Sequence, residues 1–154
     1  MVTDRFGALI EELAAATKLK LAPDSHGSVM IRYKDKLRVY VEPDVLGETV
    51  SLLIEIGKPG EGKYRETLLR EALRANGQPF PRLGTFSYGQ KQESLLIFET
   101  VPIEDLTGVR LSELITHLSD KARAWRDSVA RGEVPSIQSS AAPIRSSEGF
   151  MGLR

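Results

Sequence analysis

The stretch of this chain that comes nearest to a chemical motif is Gly57-Lys58-Pro59-Gly60-Glu61-Gly62-Lys63. It matches the GxxxxGK portion of a phosphate-binding loop, in which backbone N–H groups converge on phosphate and a lysine reaches the outer oxygens. Such a loop also needs a small hydroxyl on magnesium directly after the lysine, and here that position is Tyr64. A phenol does not fit there, and Pro59 removes one N–H donor. Nucleotide binding through Gly57 to Lys63 is therefore an alternative to be tested. The preferred reading is a glycine-rich turn whose Lys63 and Arg65 gain nothing from the positive end of a helix dipole.

The remaining reactive side chains do not assemble into a motif. His26 falls in a turn and His117 on a helix, with no HExxH spacing, and the chain has no cysteine. That leaves no thiolate nucleophile, no disulfide and no cysteine-held metal. None of the serines lies in a GxSxG elbow. The acid pairs Glu11-Glu12 and Glu104-Asp105 are sequence neighbours whose side chains diverge, unlike acids that share a proton. No catalytic residue, metal or cofactor is expected.

The 154 residues are 41% hydrophobic and 27% charged, the composition of one folded domain. Twenty-one basic residues balance twenty-one acidic ones, so no global field draws nucleic acid or an anionic membrane. The N-terminus carries acids on both sides of its short apolar run, unlike a signal peptide, and no apolar run approaches a membrane span. A cytoplasmic location is expected, with no membrane insertion.

The elements follow from periodicity. Phe6, Leu9, Ile10 and Leu13 fall on one face of a first helix, capped by Thr3 or Asp4 and running to about Lys18. Three extended segments follow at Ser28 to Tyr33, Leu37 to Glu42 and Thr49 to Ile56. Their linkers are too short for a helical crossover, which predicts an antiparallel meander. A second helix from Lys63 to about Ala75 should bury Tyr64, Leu68, Leu69, Ala72 and Leu73 and stop at Asn76-Gly77. Leu83 to Tyr88 and Glu93 to Val101 read as a second hairpin, ended by Pro102.

Thr107 caps the last helix, whose stripe is Leu111, Leu114, Ile115, Leu118, Ala122, Trp125 and Val129, with Gly132 closing it. The result is an α+β domain over residues 1–132 in the order α-β-β-β-α-β-β-α. Residues 133–154, rich in serine, proline, glycine and alanine, read as a mobile tail.

The three early strands carry apolar residues on both alternating sets: Val29, Ile31, Leu37, Val39, Val41, Leu52 and Ile54 against Met30, Tyr40 and Leu53. One set faces the core. The other is either covered by a helix of the same chain or left open for an extended partner.

The order of elements and the stretch LLREALRANGQPFPRLGTFSYGQKQESLLIFETVPIEDLTGVRLSELITHLSDKARAWRDSV resemble the CesT/SycE-type family of type III secretion chaperones. The marks of the resemblance are a helix ending in Ala75-Asn76, Gly84, an apolar strand running into Val101-Pro102, Leu106, and a final helix with Trp125.

The resemblance implies a homodimer that wraps the N-terminal segment of effector proteins in extended form, with no cofactor and no turnover. Leu68, Leu69, Leu73 and Phe86 would form the dimer seam. Leu9, Leu13, Met30, Tyr40 and Leu53 would accept the effector, and the tail is a candidate contact for the secretion apparatus. The chain is neutral where such chaperones are commonly acidic, and Gln78-Pro79-Phe80-Pro81-Arg82 replaces a glycine-richer loop. A dimeric scaffold without secretion cargo is the other alternative.

Overall fold

The computed structural model describes residues 5–135, and most of the expected tail lies outside the described residues. Three helices and five strands follow in the expected order: α1 Arg5–Thr17, β1 Val29–Arg32, β2 Arg38–Pro43, β3 Thr49–Gly57, α2 Lys63–Asn76, β4 Thr85–Gly89, β5 Ser94–Pro102 and α3 Gly108–Arg131. The strands form one sheet in the order β1-β2-β3-β5-β4, every pairing antiparallel.

Local chemistry sets the two early turns. In the β1–β2 hairpin, Lys36 adopts a left-handed conformation with φ 70, and its N–H donates to Tyr33 O at 3.0 Å. Asp35 Oδ1 accepts from Leu37 N at 3.3 Å, holding the turn by a side-chain mimic of a backbone bond. Between β2 and β3, Gly47 takes φ 72, and Asp44 Oδ1 accepts from the N–H groups of Glu48 and Thr49 at 2.7 and 3.0 Å.

One face of the sheet carries Val29, Ile31, Val39, Val41, Val50, Leu52, Ile54 and Ile97, all buried. Against it lies α3, whose stripe of Leu111, Leu114, Ile115, Leu118, Ala122 and Trp125 is buried as its spacing requires. The cap is Thr107, whose side chain accepts from Arg110 N, and Gly132 ends the helix in the left-handed conformation at φ 67. α1 packs on α3 at very close range. A Cβ on Gly108 would fall 2.4 Å from the backbone carbon of Glu12, so this position admits only glycine, and Glu12 Oε2 accepts the Gly108 N–H at 2.9 Å.

One expectation for α2 needs correction. Its buried stripe is Leu68, Ala72 and Ala75, with Tyr64 and Leu69 partly buried, while Leu73 is 70% exposed. The helix is in contact with β4 alone to an appreciable extent, so it has one narrow inner stripe and Leu73 falls outside it. The helix stops at Asn76-Gly77 as expected, with Gly77 right-handed at φ −84. The polar group that defines this terminus is Asn76: its Nδ2 donates to Phe86 O at 2.9 Å and its Oδ1 accepts from Phe86 N at 2.7 Å. One amide side chain thus completes both backbone valences of Phe86 on β4, at the edge of the sheet.

Candidate partner-binding face

The opposite face of the sheet has no helix over it among the described residues. Register alone aligns its central row: Met30 lies opposite Tyr40, Tyr40 opposite Leu53, Leu53 opposite Phe98, and Phe98 opposite Thr85. The row crosses all five strands. Met30 is 45% and Phe98 36% exposed, with Tyr40 and Leu53 half-buried between them. Leu96 extends the apolar area on β5, beside Glu55. Polar residues frame it, with Ser51 Oγ and Thr100 Oγ1 hydrogen-bonded at 3.0 Å toward one end. Toward the other end a depression of about 260 Å³ is lined by Tyr40, Glu42, Leu53, Glu55, Gln92 and Leu96. A second, of about 250 Å³, is lined by Lys36, Arg38, Tyr40, Glu55, Ile56 and Gly57.

An open apolar row of this kind can accept the side chains of an extended segment. An extended segment laid here meets alternating apolar patches and charges of both signs, and β1, a four-residue edge strand, offers unpaired backbone. The far edge is different, because Asn76 already occupies the Phe86 backbone.

Of the residues expected to take a partner, Met30, Tyr40 and Leu53 come together in this row. Leu9 and Leu13 do not. Both are fully buried, because α1 turns its entire apolar stripe onto the core and leaves no side of either leucine at the surface. Of the four seam residues, Leu68 and Phe86 are likewise interior: Phe86 stacks on Trp125 with ring centroids 4.2 Å apart, tying β4 to α3. Leu69 is partly buried against the core, and of the four only Leu73 is exposed. Phe98 and Leu96 were not among the expected site residues. The signal for them was the doubly apolar run Leu95-Leu96-Ile97-Phe98, whose two alternating sets serve two faces.

The glycine-rich loop follows β3 and opens α2, yet β3 lies between β2 and β5 in an antiparallel sheet, unlike the parallel strand a phosphate loop serves. Tyr64 is engaged elsewhere, its hydroxyl donating to Glu133 O at 2.8 Å. Burial, and then Glu133, raise its pKa above the ordinary phenol value. Among the described residues no group of three His, Cys, Asp or Glu side chains is placed to hold a metal, and no helix is long and apolar enough to cross a membrane.

Asp35, at the tip of the β1–β2 hairpin, accepts from Arg123 Nε at 2.8 Å and Arg126 Nη2 at 2.7 Å. Hydrogen bonds from these two guanidinium groups hold its carboxyl well below the usual carboxylate range. The hairpin carrying Met30 and Tyr40 is thereby clamped to the end of α3, and Arg123 also stacks over Tyr33 at 4.5 Å.

A search of curated proteins by sequence finds no match. Solved structures do match. The chain is similar to the Yersinia pestis type III secretion chaperone SycH, solved in complex with a stable fragment of YscM2, at 20% identity and a TM-score of 0.65, covering 78% of this chain and 98% of that one. It is similar to a chain of the HopA1–SchA chaperone–effector complex at 18% identity and a TM-score of 0.66, covering 80% and 94%. For a chain of the ExoT–SpcS complex from Pseudomonas aeruginosa the values are 12% and 0.61, covering 80% and 98%. These likenesses are of fold. The sequence itself matches the model of one family over residues 8–126, from the second turn of α1 to near the end of α3, and the chain belongs to the Tir chaperone protein (CesT) family.

Proposed function

We propose that this protein is a type III secretion chaperone that binds the N-terminal segment of effector proteins in extended form and keeps them soluble and secretion-competent. The observation that carries the reading is the uncovered apolar row from Met30 to Phe98 in a member of this family. The structures it resembles include chaperones solved in complex with partner proteins. An effector segment denied its own fold exposes apolar side chains and strand-forming backbone that invite aggregation. The row covers the first, and strand addition at β1 satisfies the second.

The chaperone acts as a homodimer in the cytoplasm, paired along α2 through Leu69 and Leu73. A 70% exposed leucine on a helix with a single narrow buried stripe supports that seam. A dimer doubles the apolar area offered to one cargo chain.

The test is co-expression with the N-terminal segments of candidate effectors. The wild-type chain is expected to keep one of them soluble and to co-purify with it. Met30→Asp, Tyr40→Asp and Leu53→Asp together should abolish capture while circular dichroism stays unchanged. Folded variants that still retain cargo at the wild-type level would sink the assignment of the face.

A further inference from the structure

The end of the open face nearest the β1–β2 turn carries an excess of one charge. Four of the seven residues from Arg32 to Arg38 are basic, against the single acid Asp35. Arg32 and Arg38 lie directly opposite each other in the β1–β2 register. Alternation along the strands puts Arg32 on the face of Met30 and Arg38 on the face of Tyr40, one step beyond the apolar row, and both arginines are exposed. Like charges set opposite each other across a strand pair are destabilising, so this pair works against the hairpin that holds it.

Among the described residues no carboxylate relieves the repulsion, since none of the ion pairs includes Arg32 or Arg38. Asp35, the acid nearest in sequence, is turned to α3, where Arg123 and Arg126 hold it. Glu55 lines the same depression as Arg38 and Lys36, but its Oε1 accepts from Ser94 Oγ at 2.6 Å. Across the row the sign reverses: Glu42 follows Tyr40 by two residues on β2, and its Oε1 accepts from Ser28 Oγ at 3.1 Å. On β1 and β2 the apolar row therefore runs between a basic margin and an acidic one.

Strand geometry converts the basic margin into a spacing. In a segment added beside β1, the residues that face Met30 and Arg32 are two apart, because side chains on one face recur every second residue. Arg38 stands one strand further in, about 5 Å away, and its side chain is long enough to reach toward the same place. A carboxylate there supplies the missing counter-charge, and the planar donor fork of a guanidinium group suits it. A basic residue there would be a third like charge, which discriminates against such a segment.

We propose that Arg32 and Arg38 form a carboxylate-reading subsite at the edge of the open face, and that the bound segment carries aspartate or glutamate two residues from the apolar side chain it sets against Met30. That this segment belongs to an effector rests on the chaperone reading above, whereas the charge preference belongs to the two arginines.

The test needs no known effector. A displayed library of short random peptides is selected on the full-length wild-type protein and on the double variant Arg32→Glu, Arg38→Glu, each checked for fold by circular dichroism. Wild-type selection is expected to enrich aspartate or glutamate two residues from an aliphatic or aromatic position, and the double variant to enrich lysine or arginine there instead. In one selected peptide, replacing the acid by its amide should weaken binding to wild type about fivefold by calorimetry. The same replacement should cost nothing against Arg32→Gln, Arg38→Gln, because the coupling it measures is gone. Without peptide, that glutamine variant should melt no lower than wild type, since it removes the like-charge pair.

Peptides selected without a charge preference, or with the same preference by wild type and the charge-reversed variant, overturn the proposal and leave the chaperone reading standing. An acid preference that survives Met30→Asp places the peptide elsewhere and overturns it as well. Capture of no peptide by the wild-type protein overturns both the subsite and the partner-binding role of the face.

Discussion

Single side chains do two kinds of work here: they permit close approach or they complete backbone valences. Gly84 is of the first kind. At φ 84, a Cβ would fall 2.7 Å from Ile97 Cδ1 and 2.8 Å from Leu118 Cδ1, so both strain and overlap oppose any larger residue. Gly84→Ala is expected to cost about 2–4 kcal/mol in urea unfolding, combining overpacking with an unfavourable backbone conformation. A loss below 0.5 kcal/mol, roughly the scatter of surface substitutions, would contradict the packing described. Asn76 is of the second kind. Asn76→Ala should cost about 1–3 kcal/mol, because it leaves the Phe86 N–H and C=O without partners at the sheet edge.

Asp35 adds a pH dependence at the same scale. Its carboxyl pKa is depressed in the folded chain by Arg123 and Arg126, so its contribution is present at neutral pH and fades as pH falls below the ordinary carboxylate range. Asp35→Asn should melt at a lower temperature than wild type at pH 7, and the gap should narrow steadily below pH 4. A gap that stays constant down to acid pH would mean that the clamp is not electrostatic.

Among the elements, α2 separates a structural stripe from an exposed one. Leu68 is fully buried, so Leu68→Ala should destabilise by about 2–5 kcal/mol. Leu73, one turn and a little further on and 70% exposed, should behave oppositely. Leu73→Asp is expected to leave circular dichroism and melting of the domain near wild type but to convert a dimer to a monomer in analytical ultracentrifugation. A Leu73→Asp protein that still sediments as a dimer removes α2 from the seam. The same comparison explains why helical periodicity alone misassigned the residue. It identifies a set of apolar positions about 100° wide, but the width of the stripe that is actually covered depends on how many elements pack against the helix. Here β4 is the main element packed on it.

For the molecule as a whole, one face of the sheet is covered by α3, on which α1 packs, and among the described residues the other has no helix over it; that asymmetry matters more than any local motif. The loop from Gly57 to Lys63 illustrates it. Its spacing suggests phosphate, but its place in an antiparallel sheet serves to turn the chain into α2 and to bring the end of α3 beside β3. Thermal melting with magnesium–ATP is expected to show no shift in either the wild-type chain or Lys63→Ala. A stabilisation present in the first and absent in the second would reopen the nucleotide reading.

From the amino-acid sequence alone came the number, type and order of the elements and the buried stripe of α3, because these depend on periodicity and turn chemistry within a few residues of each position. Thr107, Gly132 and Pro102 mark ends that local stereochemistry enforces. The alternation in the first three strands also separated Val29, Val39 and Leu52 from Met30, Tyr40 and Leu53. Which set was covered, and by what, was decided only by tertiary structure, since coverage depends on the placement of helices distant in sequence. For that reason Leu9 and Leu13, expected to meet a partner, are interior, and Phe98 joins the open row because β5 pairs with β3.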